Sequence, residues 1–379
     1  MSAGRRSRLT KPPAIATGAV ALAILVIGLV IDPREIAATL LVGLLAATST
    51  VLGVLTMIMI AHVSNATWFA PFRRRADAIV GVLPALAAIG VLPLLGLPVL
   101  YVWVERPTPN AAYLNVPFFL VRWIVYWAAW IAIAESLRAT CRIENRGEIE
   151  RAAHRYRVIA SVGLPVVALT MSFAAFDWMM SLAPDWHSTI YAVYWFAGGM
   201  VSALALLALL VVPRFSGHEL PTVFPDDLHA LGKLLLTFVL FWLYIGFAQY
   251  IVIWSGDLPA EVTWYIARTR DGWGYVAAVL VFGTFVFPFL LLLFRFVKRS
   301  ASLLAIIGVA LLGLHVLDTF WLVMPGLVPV RWWTIVVTGA AVALMAGAAA
   351  ALGAWRRPAE PASVPGRSSR AAPNVAIPG

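Results

Sequence analysis

Charge is scarce in this chain and cysteine is nearly absent. Only 12% of the 379 residues are Asp, Glu, Lys or Arg, whereas 62% are hydrophobic. Soluble domains carry about 25% charged residues, so this composition excludes an ordinary soluble fold. The single cysteine, Cys141, rules out an internal disulfide, a cysteine-ligated iron–sulfur cluster and c-type haem attachment within the chain. Of six histidines, only His315 falls well inside an apolar run, so paired axial ligands for a b-type haem are not expected. Neither a Walker loop nor a dinucleotide fingerprint occurs, which argues against nucleotide hydrolysis. The expectation is a chain that binds no metal and no redox cofactor of its own.

What the chain has is apolar length. Ten runs approach the roughly 20 residues needed to cross hydrocarbon: 14–31, 36–62, 77–104, 116–137, 157–180, 189–212, 230–254, 274–297, 302–323 and 332–354. The expected fold class is therefore an all-α integral membrane protein with about ten transmembrane helices. A short N-terminus (1–13) precedes the membrane domain (14–354). The first run is followed by Asp32-Pro33-Arg34-Glu35, with no small-residue cleavage site, and reads as an uncleaved span. The Pro-rich, polar segment 355–379 lacks the apolar content to fold and is expected to be disordered.

Basic residues test this count. Arg34, Arg106, Arg268, Arg270 and Arg331 fall on one side, Arg122 and Lys233 lie within spans, and the rest of the 28 sit on the other side. That alternation places both termini in the cytoplasm. It also explains the net charge of +10 by topology, so nucleic acid is not an expected partner. The basic loop from Arg138 to Arg157 is expected to lie against anionic lipid. Trp103, Trp178, Trp186, Trp254, Trp264, Trp273, Trp321, Trp332 and Trp333 gather near the outer boundary. They read as an interfacial belt, or as a docking surface for an extracytoplasmic partner.

Ionisable residues inside spans are the candidate chemistry, because a charge in hydrocarbon costs about 2.5–3.5 kcal/mol even on insertion scales. An outward group comprises Asp177, Asp318, His315 and Arg122; an inward group comprises Glu135 and Lys233. His315 and Asp318 are three apart and share a helical face, suited to passing a proton, to binding a quinone carbonyl or to an interhelical hydrogen bond. Asp177 ends a polar stripe that starts at Thr170, as a proton exit or a quinol headgroup site would. Arg122 must find an acid or carbonyls, with Asp177 and Asp318 as candidate partners, or else snorkel. Lys233, Thr237 and Tyr244 share a face and suggest an inward half-path, or a snorkelling lysine beside ordinary polar groups. Gln249 and Tyr250 add hydrogen-bond capacity near the outer end of the same span and join Asp177 as quinone-binding candidates.

Three stretches carry a resemblance: Ala112 to Arg122 (AYLNVPFFLVR), Phe176 to Leu182 (FDWMMSL), and Asp227 to Lys233 (DLHALGK) running on through Gln249-Tyr250 to Trp254. Leu317 to Val323 (LDTFWLV) is a weaker fourth. The chain resembles the ActF-type membrane subunits of bacterial alternative complex III, within the polysulfide-reductase (NrfD-like) family. The resemblance implies two four-helix bundles, spans 2–5 and 6–9, with flanking helices in a bacterial inner membrane. It implies a quinol:cytochrome c or quinol:acceptor oxidoreductase whose iron–sulfur clusters and c-type haems reside in partner subunits. Those partners would be a paralogous NrfD-like subunit, an iron–sulfur subunit and a multihaem cytochrome c. This subunit would supply proton half-channels. Family members often carry paired histidines and a Gly-rich turn at the inner end of the second span. Here Ala61 to Trp68 keeps only His62 and no glycine.

Overall fold

The computed structural model describes residues 32–106, 108–212, 223–329 and 331–354. Among these every regular element is helical, and eight segments are long and apolar enough to cross a membrane. The expected span 14–31, the N-terminal segment and the C-terminal tail lie outside the described residues.

Helix α1 (Pro33–Val63) opens on an Asp32 cap, whose Oδ1 accepts the Glu35 amide at 3.0 Å. The expected span 77–104 is not one rod. It runs from Thr67 to Leu100 as a 3-10 turn, α2 (Ala70–Val80), α3 (Leu83–Ile89), a second 3-10 turn (Leu92–Gly96) and α4 (Leu97–Leu100). The cause is proline. Pro71, Pro84, Pro93 and Pro98 each sit in the first turn of a piece, where the missing amide costs nothing, and each ends the piece before it.

Helices α5 (Val116–Glu144) and α6 (Ile149–Trp178) run past the expected inner boundary. The basic stretch anticipated as a loop is mostly two helix ends, joined by a tight turn with Gly147 at φ +87°. The chain continues as α7 (Tyr191–Leu210), α8 (Pro225–Gly256) and the short α9 (Pro259–Ala267). The next crossing joins α10 (Trp273–Leu280) to α11 (Phe287–Leu293) through a π-helical stretch, Val281–Val286. Pro288 follows that stretch; the wider turn accommodates a residue that can neither donate to the ladder nor clear the carbonyl four positions back. Then come α12 (Arg295–Arg299), α13 (Ala301–Val323) and α14 (Trp332–Ala354).

Helix α1 is the axis. It is apolar on all sides and packs against α6, α7, α13, α14 and the broken run. Helix α5 packs on α6; α7 packs on α8 and α13; α10 leans on α13 and α11 on α8. Outer faces carry exposed Ile124, Val162, Phe247 and Phe287, as contact with lipid requires.

Helices α1 and α7 meet backbone to backbone. A Cβ on Gly53 would stand 2.5 Å from the Gly199 carbonyl, and one on Gly199 would stand 2.7 Å from the Ser49 carbonyl. Ser49 and Gly53, like Gly199 and Ala203, are four apart, the small-residue spacing that lets membrane helices meet backbone to backbone. Gly308 of α13 likewise abuts the Ala205 carbonyl of α7, at 2.6 Å for an added Cβ. Gly199→Ala should therefore lower stability by about 1–3 kcal/mol, the usual cost of overpacking. Gly313→Ala, at a helical glycine with open space around it, should not. Thermal unfolding in detergent checks the pair, and equal behaviour would mean that the α1–α7 contact yields freely.

Candidate functional site

The outward residues separate into two groups with different partners. In the first, Asn115 caps α5 by accepting the Phe118 amide at 3.0 Å, which sets the helix register. Arg122 and Tyr126, one turn apart, then face the last turn of α6. There Asp177 is only 1% exposed. Arg122 donates from Nε at 2.8 Å and from a terminal nitrogen at 2.9 Å to its two oxygens, and the Tyr126 hydroxyl donates at 2.6 Å. Arg122 also donates to the Tyr113 carbonyl at 3.1 Å and lies over the Tyr113 and Phe118 rings at 3.9 and 4.3 Å. Of the two acids open to Arg122, Asp177 is the partner. A fork-to-fork pair of this kind is strong and directional, and the arginine cannot give up its proton. The group therefore works as a clamp between α5 and α6. The Thr170 stripe is present as well: the Trp130 indole donates to its hydroxyl at 2.8 Å.

The second group centres on α13. Asp318 is 4% exposed, and it accepts the Tyr194 hydroxyl of α7 at 2.8 Å and the Trp242 indole of α8 at 3.1 Å. Both donors are neutral; among the described residues no Lys or Arg forms an ion pair with it. His315 Nε2 lies 2.8 Å from the Ser49 hydroxyl of α1, and its Nδ1 is buried with no hydrogen-bond partner among the described residues. Ser49 also bonds the Ala46 carbonyl at 3.2 Å. Its one proton serves only one of these contacts at a time, so a switch of the serine switches the histidine tautomer. Both acidic and imidazole side chains border the bare face of Gly198; a Cβ there would stand 3.2 Å from His315 Nδ1 and 3.4 Å from Asp318 Oδ2. Thr50 and Ser202 add a hydroxyl pair at 2.9 Å across the same α1–α7 seam. Sequence reading missed Tyr194, Trp242, Ser49 and Ser202. The small-residue spacing around Ser49 was the one signal pointing there.

The inward pair is not brought together. Glu135 has a side chain 40% exposed and reaches Arg138, one turn along its own helix, at 3.3 Å. Lys233, Thr237 and Tyr244 do share a face, but it is an exposed one, with Tyr244 at 67%. The expected half-path along α8 thus points away from the helix bundle. The inner network that exists is different. Arg73 donates to Glu144 at 2.8 and 3.2 Å and stands 4.0 Å from Asp77. The Tyr156 hydroxyl donates to Glu144 at 3.2 Å, and His62 stacks on the Tyr156 ring at 4.2 Å. These residues read as loop, or as a boundary, because their partners are far apart in sequence.

The tryptophan belt is likewise redirected. Trp103, Trp178, Trp186 and Trp264 are buried, while Trp254 is exposed. Trp186 stacks on Trp264 at 4.4 Å, and the Arg268 guanidinium lies 3.4 Å above the Trp264 ring. Arg268 donates to the carbonyls of Trp264 at 3.1 Å and Leu322 at 2.7 Å, and burial lowers its pKa to about 9. Beneath this roof Gln249 and Tyr250 line a cavity of about 220 Å³ shared with Tyr194 and Trp242. Asp177 is not among its lining residues, so the three quinone candidates do not form one site. Among the described residues no three His, Cys, Asp or Glu stand where they would hold a metal ion.

No family model matches the chain, and no curated protein matches it.

The clamp makes a prediction of its own. Asp177→Asn strands a buried guanidinium and should lower stability by about 3–5 kcal/mol. The double variant Arg122→Met with Asp177→Leu removes both charges and should lose less. If thermal unfolding shows the double variant to be the less stable, the clamp does more than cancel charge.

Proposed function

We propose that this chain is a non-redox integral membrane subunit of a quinol-oxidising respiratory assembly, of the alternative complex III type, and that its Asp318–His315–Ser49 chain carries protons. The observation behind this reading is a buried acid held only by neutral donors, one helical turn from a histidine whose second nitrogen has no partner among the described residues. Such a pair exchanges protons without breaking an ion pair, which Asp177 cannot do. Ser49 and the Thr50–Ser202 hydroxyls extend the polar line into the α1–α7 seam. The inner network of Arg73, Asp77, Glu144, Tyr156 and His62 lies at the opposite end of α1 and supplies the second aqueous approach.

In this reading the chain makes ten crossings, spans 2–5 and 6–9 form two four-helix bundles, and both termini face the cytoplasm of a bacterial inner membrane. The basic-residue alternation supports the orientation. The packing of α6 and the broken run on α1 with α5 on α6, and of α8 and α13 on α7 with α10 on α13 and α11 on α8, supports the grouping. Iron–sulfur clusters and c-type haems belong to partner subunits, and a paralogous NrfD-like chain stands beside this one. The competing reading is a proton-coupled transporter, favoured by the broken run Thr67–Leu100, since transporters place discontinuous helices at their sites. The other interrupted crossing, at Val281–Val286, falls at a different place in its half, which disfavours paired repeats of that kind.

Asp318→Asn in the native complex should reduce proton-coupled turnover at least tenfold, with haem and iron–sulfur content unchanged. Asp318→Glu should retain part of it. Proton release and quinol oxidation at wild-type rates in the asparagine variant would make Asp318 a structural acid. Purification of the chain alone, still moving a solute, would favour transport.

A further inference from the structure

We propose that the cavity between α8, α9, α10 and α13 is a binding site for a flat, lipid-soluble ring bearing a hydroxyl donor, a hydroquinone or related phenol. The cavity is about 220 Å³. An apolar cavity of about 150 Å³ already admits benzene, so a substituted ring fits. Its walls are aromatic, with Trp242, Tyr250, Trp264 and Trp321 offering ring faces and edges. Its rim includes Phe247 and Val281, both exposed on the outer surface of the helices, which opens it toward lipid. Val281 begins the π-helical stretch, whose wider turn shapes that wall.

The polar content is small and specific. Gln249 is 5% exposed, it lines the cavity, and its Oε1 has no hydrogen-bond partner among the described residues. Tyr265 stands beside the same amide and also lines the cavity. A buried acceptor left unmade costs free energy, and the group that repairs it must be a donor. An acyl chain has none. Tyr194 also lines the cavity and spends its proton on Asp318, which leaves its oxygen free to accept. A ring hydroxyl seated here therefore finds acceptors at Gln249 and Tyr194, the second of which is hydrogen-bonded to Asp318. The inference concerns binding, and no electron transfer at this site is implied. It deepens the quinol-linked reading above and rests on it for placing a hydroquinone in the membrane.

The test is equilibrium binding of a radiolabelled, short-tailed ubiquinol analogue to the full chain in nanodiscs. Binding should saturate. Gln249→Leu should weaken it about tenfold, the equivalent of one hydrogen bond to a buried group, and Ala277→Phe, which fills the cavity from α10, should abolish it. The dimethyl ether of the same ring should bind wild type and Gln249→Leu alike, and more weakly than the hydroquinone binds wild type. If Gln249→Leu fails to fold, Ala277→Phe and the ether comparison still decide. Absence of saturation, equal affinity for hydroquinone and ether, or equal displacement by a plain fatty acid would overturn the proposal, the last by making this an acyl-tail pocket. Saturable binding with the expected pattern, in a protein whose Asp318→Asn form releases protons normally, would sink the proton reading and leave the site standing.

Discussion

Backbone contact across α7 fixes where the rest of the protein can sit. In lipid there is no hydrophobic drive to bring helices together, so close packing and interhelical hydrogen bonds must hold them. Helix α7 carries Gly198 and Gly199 in succession, and neighbours on a helix point about 100° apart. One glycine therefore serves α1 and the other serves α13. Gly199 meets the Ser49 backbone, and Gly198 leaves the space that His315 and Asp318 border. Gly308 repeats the device from the α13 side. Ser49 reaches His315 only because all three helices are drawn in at this level.

Two of the buried aspartates, Asp177 and Asp318, lie near the C-terminal ends of their helices and have opposite surroundings. Asp177 is closed by Arg122 and Tyr126, with each oxygen occupied by a donor that cannot leave without stranding a charge. Asp318 has a phenol and an indole. Neutral donors orient a carboxyl group without fixing its charge. The same residue type is thereby a fastener in one place and a candidate carrier in the other, and the difference lies wholly in what faces it from the neighbouring helix.

This is also why the sequence was readable for some features and silent on others. Apolar length sufficed to locate the eight segments between Pro33 and Val323 that are long and apolar enough to cross a membrane. It missed the breaks in Thr67–Leu100, although Pro71, Pro84, Pro93 and Pro98 were in plain view, because average apolarity is blind to the backbone. The site was harder. Helices such as α1, α7 and α13 are apolar all round, so periodicity carries no signal for which face meets which neighbour. Arg122 with Asp177 was open to inference from depth and charge, since a buried guanidinium must find an acid or carbonyls. Lys233, Thr237 and Tyr244 shared a face as spacing required, but spacing alone does not say that the face is an outer one. Arg73 with Glu144 joins residues 71 apart, both near expected boundaries, where nothing local marks either as buried.

The aromatic roof ties these parts together through a cation that has no acid beside it among the described residues. Arg268 stays protonated at neutral pH even with its pKa lowered to about 9, so its charge must be met by something other than a carboxylate. It is met by the Trp264 face and by carbonyls at the C-terminal ends of α9 and α13, where helix dipoles favour positive charge. Trp264 is at once a wall of the cavity and the stacking partner of the guanidinium, while Leu322 lies one turn beyond Asp318. A displacement of Trp264 by anything entering the cavity would therefore pull on the same arginine that caps the helix carrying His315 and Asp318. Occupancy of the cavity and the position of the His315–Asp318 pair are thereby linked through Arg268, by its stacking on Trp264 and its hydrogen bond to the Leu322 carbonyl.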